Sequence, residues 1–254
     1  MFRPTDWPMF GLKASLAHLA PTSGAGQPLR ETGELFPRWA ARPRRRLTIG
    51  LTCSLHGGAA RQLLAAFRAA HPDVDLVIED LDDRSVRAEL DGKHIDAAIA
   101  PEGVARRDWR RTPLWCERLI AVLPEAHPLA AESAVSAQAL RGEIVLLAGD
   151  GSGDKSLQSA ISDALGGPPA SFMHYLVERD TLFDLVALGL GVTVSSDATL
   201  GAFYPGVATR PIDSPRAEIA YSLMWRADAR NDALRDFIGV ADALAQEETR
   251  HGVG

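Results

Sequence analysis

The sequence predicts an α/β protein made of two similar units in succession. From Leu47 onward, short apolar runs of strand length alternate with stretches of helical period. The first five elements read strand, helix, strand, helix, strand, an order that implies a parallel sheet. The order strand, loop, helix, strand, helix, strand then returns in the second half, which suggests two lobes with a cleft between them. The bulk numbers agree: 254 residues, 46% apolar and 24% charged, fit a soluble globular chain with one large core or two small ones. They exclude collagen, coiled-coil and disordered-tail compositions.

The first 46 residues stand apart. They hold Pro4, Pro8, Pro21, Pro28, Pro37 and Pro43, with short helices expected over Met9–Ala20 and, broken near Pro37, over Arg30–Ala41. Leu47–Leu51 opens the regular pattern as a buried strand. The loop Thr52–Gly58 leads into a helix over Ala59–Ala70, where Leu63, Phe67 and Ala70 recur at helical spacing and His71-Pro72-Asp73 stops the run. Val74–Asp80 is the second strand, Ser85–Leu90 a short helix closed by Asp91-Gly92-Lys93, and Ile95–Ala100 a third strand. Leu114–Leu123 follows as a strand, and a short helix is expected near Ser136–Leu140. The second unit then reads as strand Glu143–Ala148, helix Ser156–Leu165, strand Ser171–Val177, helix Thr181–Leu188 and strand Val192–Ser195. Val207–Pro211 and Glu218–Arg226 are further strands. Asp232–Gln246 is a terminal amphipathic helix with Leu234, Phe237, Ile238, Ala241 and Leu244 on one face.

Charge is unevenly spread over a net of −6. Residues 1–46 carry eight bases against three acids, or +5, so the remainder carries −11. A basic arm of this kind reads as a solvated surface or linker, or more sharply as a contact with nucleic acid. The two cysteines, Cys53 and Cys116, are too few for a disulfide scaffold and suit a reducing compartment. Neither a secretory leader nor an apolar run of roughly 18–20 residues is evident, so a cytoplasmic chain with no membrane partner is expected.

Four stretches carry a family resemblance. They are Leu47-Thr-Ile-Gly50 with Ser54 and the helix ending Phe67-Arg-Ala-Ala-His-Pro-Asp-Val74; Leu90-Asp-Gly-Lys-His-Ile-Asp-Ala97; Leu119-Ile-Ala-Val-Leu-Pro-Glu-Ala-His-Pro-Leu-Ala130; and Leu185-Val-Ala-Leu-Gly-Leu-Gly-Val-Thr-Val194. In this order and spacing, over about 200 residues, they resemble the effector-binding domain of LysR-type transcriptional regulators. The resemblance implies two Rossmann-like lobes of the type 2 periplasmic-binding-protein kind, joined by two crossovers, with the effector in the cleft. By that likeness lobe one holds 47–119 plus 221–254, lobe two holds 120–220, and 1–46 is a linker remnant. It also implies a homodimer or higher homo-oligomer. The family's N-terminal helix-turn-helix is not evident in residues 1–46, so DNA binding is expected only through such an element supplied from elsewhere.

In α/β lobes, ligands sit beyond the carboxyl ends of the strands. Thr52, Cys53 and Ser54 leave the first strand there, where the following helix favours an anion and two hydroxyls add donors. Ser54 matches the family's effector position; plain helix capping is the other reading. Asp82 and Asp83 leave the second strand, and Ala100 closes the third. Acids at 82 and 83 suit an amine, guanidinium or hydroxyl, which points to a polar or zwitterionic effector; a helix cap is the alternative. Gly149-Asp-Gly-Ser-Gly-Asp-Lys-Ser156 nearly matches a phosphate-binding loop, but Asp154 replaces its second glycine. It reads better as the second lobe's effector loop, with Asp150 and Ser152 toward the cleft. Asp180 and Thr181 open the next helix on the same side.

A nucleophilic site is not supported, since Ser54 and His56 are two residues apart and no orienting acid is marked. The histidines show no metal-ligand spacing, and no cofactor is expected. Cys53 near a helix start is a candidate low-pKa redox thiol, and Cys116 a buried one. Trp109, Trp115 and Trp225 read as core or lobe-interface residues. The sequence therefore reads as the sensor part of a LysR-type regulator, not an enzyme, binding a small polar or carboxylate-bearing metabolite. A solute-binding protein of the same fold, a stand-alone sensor or a truncated remnant are the alternatives.

Overall fold

The computed structural model describes residues 45–149, 151 and 155–251. The helices expected over Met9–Ala20 and Arg30–Ala41, the basic arm, and the site candidates Asp150 and Ser152 lie outside them. The first strand, β1 (Arg45–Leu51), starts two residues before the apolar run. Arg45 lengthens it by donating to Asp73 at 3.0 and 3.1 Å and to Asp236 at 2.6 Å. From Leu47 to Leu51 every residue is buried, as a strand flanked on both sides requires.

The first unit follows the expected order. Helix α1 (Gly58–Ala70) buries Ala60, Leu63, Leu64 and Phe67 on one face, and the His71 N–H closes it on the Phe67 carbonyl at 2.8 Å. Strand β2 (Val74–Asp80) runs parallel to β1, with Arg45 opposite Val74 and Leu51 opposite Asp80. Helix α2 (Asp83–Asp91) begins two residues earlier than the periodicity predicts. Asp82 caps it, accepting from the Ser85 N–H at 2.6 Å. Strand β3 (Ala97–Pro101) lies parallel on the other side of β1. It starts later than Ile95, because Asp96 leads it in. The Asp96 N–H donates to the Thr48 carbonyl at 2.9 Å, and its carboxylate accepts from the Thr48 N–H at 2.9 Å.

Strand β4 (Trp109–Pro124) is longer than the expected Leu114–Leu123 and spans 16 residues. Its first part pairs antiparallel with β10 (Glu218–Arg226). Its second part pairs antiparallel with β8 (Thr193–Ser196) on one side and β9 (Val207–Asp213) on the other. Strand β10 completes the first half by lying between β3 and β4. The chain thus crosses between halves twice, within β4 and between β9 and β10. The Leu119 N–H donates to the Ala217 carbonyl at 2.9 Å and ties the two crossings together.

The second unit repeats the first. Strands β6 (Ile144–Ala148) and β7 (Ser171–Tyr175) are parallel, with helix α4 (Lys155–Leu165) between them. Helix α5 (Arg179–Ala187) then leads to β8, and Val192 bridges in parallel to Val145 of β6. The order β7, β6, β8 matches β2, β1, β3, and in each unit the third strand meets an antiparallel partner. Before this unit come β5 (Val135–Ser136), parallel to β9, and the short helix α3 (Ala137–Arg141).

The two glycines of Leu188-Gly-Leu-Gly-Val192 have different causes. Gly189 ends α5 at φ +80°. Gly191 has no room for a side chain, since a Cβ there would lie 2.6 Å from the Ile144 carbonyl oxygen. The last helix, α6 (Asp232–His251), runs five residues past the expected Gln246. Its Phe237 meets Phe67 of α1 edge-on, ring centres 5.0 Å apart. The architecture is a two-lobed α/β fold of the expected kind.

Candidate functional site

The carboxyl ends of both parallel sets converge on one cleft. A cavity of about 870 Å³ lies there, within the range of small-molecule sites. The first half lines it with Thr52, Cys53 and Ser54 after β1, with Asp80 at the end of β2, and with Asp82 and Asp83 just beyond it. The second half supplies Gly149 and Gly151 after β6, Glu178, Arg179 and Asp180 at the start of α5, and Ser195 and Ser196 of β8. Ile219 and Tyr221 of β10 also line it.

Two candidates fall elsewhere. Ala100 is wholly buried in the cluster with Val86, Leu90 and Met224, and its neighbour Pro101 lines the cleft instead. Ala100 is next to last in β3, and its side chain turns into that cluster instead of toward the strand end. Thr181 is exposed and does not line the cavity, because α5 begins at Arg179 and turns that position to solvent.

Ser54 does not cap α1. The helix starts four residues later, with Gly57 at the N-cap and no side-chain cap bond. Ser54 is buried and lies against His56, its Oγ 3.0 Å from Nδ1 and accepting from the His56 N–H at 3.2 Å. Among the described residues no carboxylate holds the other ring nitrogen, so the pair lacks the third member of a triad. Thr52 Oγ1 is enclosed with no partner among the described residues.

The acids have distinct duties. Asp82 caps α2, and Asp180 accepts from the Tyr204 hydroxyl at 3.0 Å. Asp83 reaches across the cleft, its Oδ2 accepting from the Ser156 N–H at 3.3 Å in the first turn of α4. Burial raises its pKa, and its bonds to Ser156 pull the other way. The amide that a phosphate-binding loop would offer to a ligand is thus taken by a carboxylate of the other unit. Among the described residues five carboxylates line the cavity against one guanidinium, that of Arg179. Arg179 itself forms no hydrogen bond or ion pair among them.

Cys53 corrects the expectation of an activated thiol. It lies before the helix rather than at its first turn, and it is buried. Desolvation, aided by the charge of Glu117, pushes its pKa up to about 12. Cys116, expected buried, is exposed, and both thiols are free. With a thiol reagent at about pH 8, the native chain should take one adduct, at Cys116, and a second only on unfolding. Mass spectrometry of native and denatured samples checks this; early labelling at Cys53 would contradict it.

Sequence reasoning missed Glu117 on β4. It is 4% exposed, accepts from the Trp115 indole N–H at 3.0 Å through Oε1, and leaves Oε2 without a partner among the described residues. Burial raises its pKa. The folded state therefore holds this proton more tightly than the unfolded chain does. The cost of the buried charge is absent below the unfolded value and grows as pH rises through the folded one. Glu117→Gln carries no such cost. Its stability relative to the parent should shift in the variant's favour as pH rises above the ordinary glutamate value of about 4.3. Melting both chains across that range tests it, and a difference constant with pH would refute it.

Among the described residues no cluster of His, Cys, Asp and Glu is arranged to hold a metal, and no helix is long and apolar enough to cross a membrane. A family model described as LysR substrate binding domain matches residues 40–246. The Hca operon transcriptional activator HcaR of Escherichia coli K12 is 28% identical over 218 residues, covering 83% of this chain and 71% of that protein. Across the curated relatives it matches, the chain spans between 48% and 71% of their length. Among solved structures, the BenM effector-binding domain with its effector benzoate is similar at a TM-score of 0.67 and 20% identity, covering 80% of this chain and 93% of that one. Full-length CbnR complexed with its target DNA is similar at a TM-score of 0.67 and 14% identity, covering 79% of this chain and 70% of that one.

Proposed function

This chain belongs to the LysR substrate-binding domain family, and from that premise we propose that it is the ligand-sensing part of a transcriptional regulator. The observation that carries the reading is the cavity at the carboxyl ends of two matching strand sets, within the residues the family model matches. A small polar or carboxylate-bearing metabolite binds there and sets the relative position of the lobes. Thr52, Cys53, Ser54, Asp82, Asp83 and Asp180 line the pocket and are carried as effector-site residues; Asp150 and Ser152 are carried with them from the sequence.

Lobe one holds 47–119 plus 221–254 and lobe two 120–220, and the pairing of Glu218 with Arg118 supports a return to lobe one close to residue 220. The chain acts in the cytoplasm as a homodimer or higher oligomer, without catalysis. It reaches DNA only through a helix-turn-helix that is not evident in this sequence. The relatives, named as transcriptional regulators, support this reading.

A thermal-shift screen of the purified chain tests it, with amino acids, aromatic and aliphatic carboxylates, sugars and nucleotides. A ligand at 100 times its Kd should add about 2.7 kcal/mol. The expected result is a saturable shift with one class, reduced in Ser54→Ala. A folded sample with no response across the library, or a response untouched by changes in the cleft, would count against the reading.

A further inference from the structure

Glu117 and Arg179 together say what kind of molecule the cleft accepts. The Ser196 hydroxyl neighbours the Glu117 carboxyl group and favours its ionised form. A hydroxyl whose hydrogen is committed to a carboxylate offers only lone pairs elsewhere. Ser196 lines the cavity, so it presents an acceptor there. Behind it lies the Glu117 carboxyl group, 4% exposed, with its Oε2 unpartnered among the described residues. An acceptor suits an ammonium or N–H group and repels a carboxylate.

Arg179 offers the opposite. Its guanidinium lines the same wall, is half-buried, and has no hydrogen bond or ion pair among the described residues. It is close enough for its charge to act on Glu117, Cys53 and Tyr204. A free planar fork matches a carboxylate through two parallel hydrogen bonds. Asp80 and Glu178 also line the cavity and form no ion pair among the described residues. A simple carboxylate would satisfy Arg179 and face uncompensated acids. A simple amine would satisfy the acids and leave Arg179 unpaired.

Resting on the sensor reading above, we propose that the cleft is selective for a compact zwitterion with adjacent ammonium and carboxylate groups, the head group of an α-amino acid. The carboxylate lies on the Arg179 fork, and the ammonium on Ser196 and the acidic wall. Glu117 is a positioning residue, acting through Ser196.

Calorimetric titration of the full chain with each of the twenty amino acids tests this. The best binder is followed by its amine analogue lacking the carboxylate and its acid analogue lacking the amine. Each truncation should weaken binding by about tenfold or more, since each leaves a polar group of the site unpaired. Arg179→Gln should weaken the amino acid to a similar degree and leave the amine analogue unchanged, a pattern that general damage to the fold does not produce. Glu117→Gln should weaken the amino acid and the amine but not the acid analogue. An acid analogue or benzoate that binds as tightly as any amino acid overturns the proposal and leaves the sensor reading standing. So does a folded chain that binds another class from the screen and no amino acid. A folded chain that binds nothing in either experiment overturns both.

Discussion

Gly191→Val is expected to cost about 3 kcal/mol, the upper part of the usual range for overpacking, and to abolish the ligand response with it. The reason is a close approach of two backbones. A Cβ at 191 would lie 2.6 Å from the Ile144 carbonyl oxygen and 2.8 Å from Leu146 Cδ2. The neighbouring Val192 exchanges hydrogen bonds with β6, donating to Ile144 at 3.0 Å and accepting from Leu146 at 2.7 Å. Leu146 can turn aside but the Ile144 carbonyl is backbone and cannot, so β8 must move off β6. Ser195 and Ser196 lie a few residues along that strand and line the cleft. Urea unfolding should show a lower midpoint with the slope unchanged. Gly189→Asn is the control, because an asparagine tolerates its φ of +80° and nothing lies within 4 Å of a Cβ there. A Gly191→Val chain with the parent's midpoint would mean that the backbones do not need this approach.

Phe67→Ala should cost more, about 3–5 kcal/mol. Phe67 is fully buried, stacks on His71 with ring centres 4.9 Å apart, and meets Phe237 edge-on at 5.0 Å. It fills the space between α1, α6 and the sheet, and none of its neighbours can swing in to close the hole. Truncating Phe237 as well should cost less than the sum of the two single losses, because each ring loses the other only once. Strict additivity in denaturant unfolding would show that the rings do not support each other. The ligand pocket lies at the other end of the strands' course, so a chain still folded should keep its affinity.

The order of elements was legible because periodicity reports burial, and burial governs nearly every strand and helix here. Where the reading fell short, another force set the boundary. Strand β4 was read too short because Arg110, Arg111 and Pro113 break the apolar run, yet Trp109 is buried in one core cluster and Leu114 and Leu119 in another. Strand β1 gained two residues from ion pairs that only the fold brings together. The start of α1, by contrast, agrees to within one residue, Gly58 against the expected Ala59, and the loop before it is held by Ser54 and His56.

Half of the cleft was legible for the same reason that strand ends were. Residues following β1 and β2 lie at the carboxyl edge of the sheet whatever else happens. Arg179, Ser195 and Ser196 were missed because placing them depends on the second unit meeting the first. Glu117 did leave a signal, an acid in phase with Trp115 and Leu119 on an inward face. Sequence alone does not separate such a residue from an edge-strand acid turned to solvent.

The position of β10 bears on how the protein is made. It is among the last strands to be synthesised, yet it lies between β3 and β4 and pairs with both. A nascent chain has all of β6, β7 and β8 once Ser196 has left the ribosome, but the sheet containing β3 remains open until Arg226 has followed. During that interval two strand edges face each other unpaired, and such edges invite pairing with other chains. Slow translation between those points would lengthen the exposure, so the vulnerable moment in this protein's biogenesis falls late, after most of its core residues are already in hand.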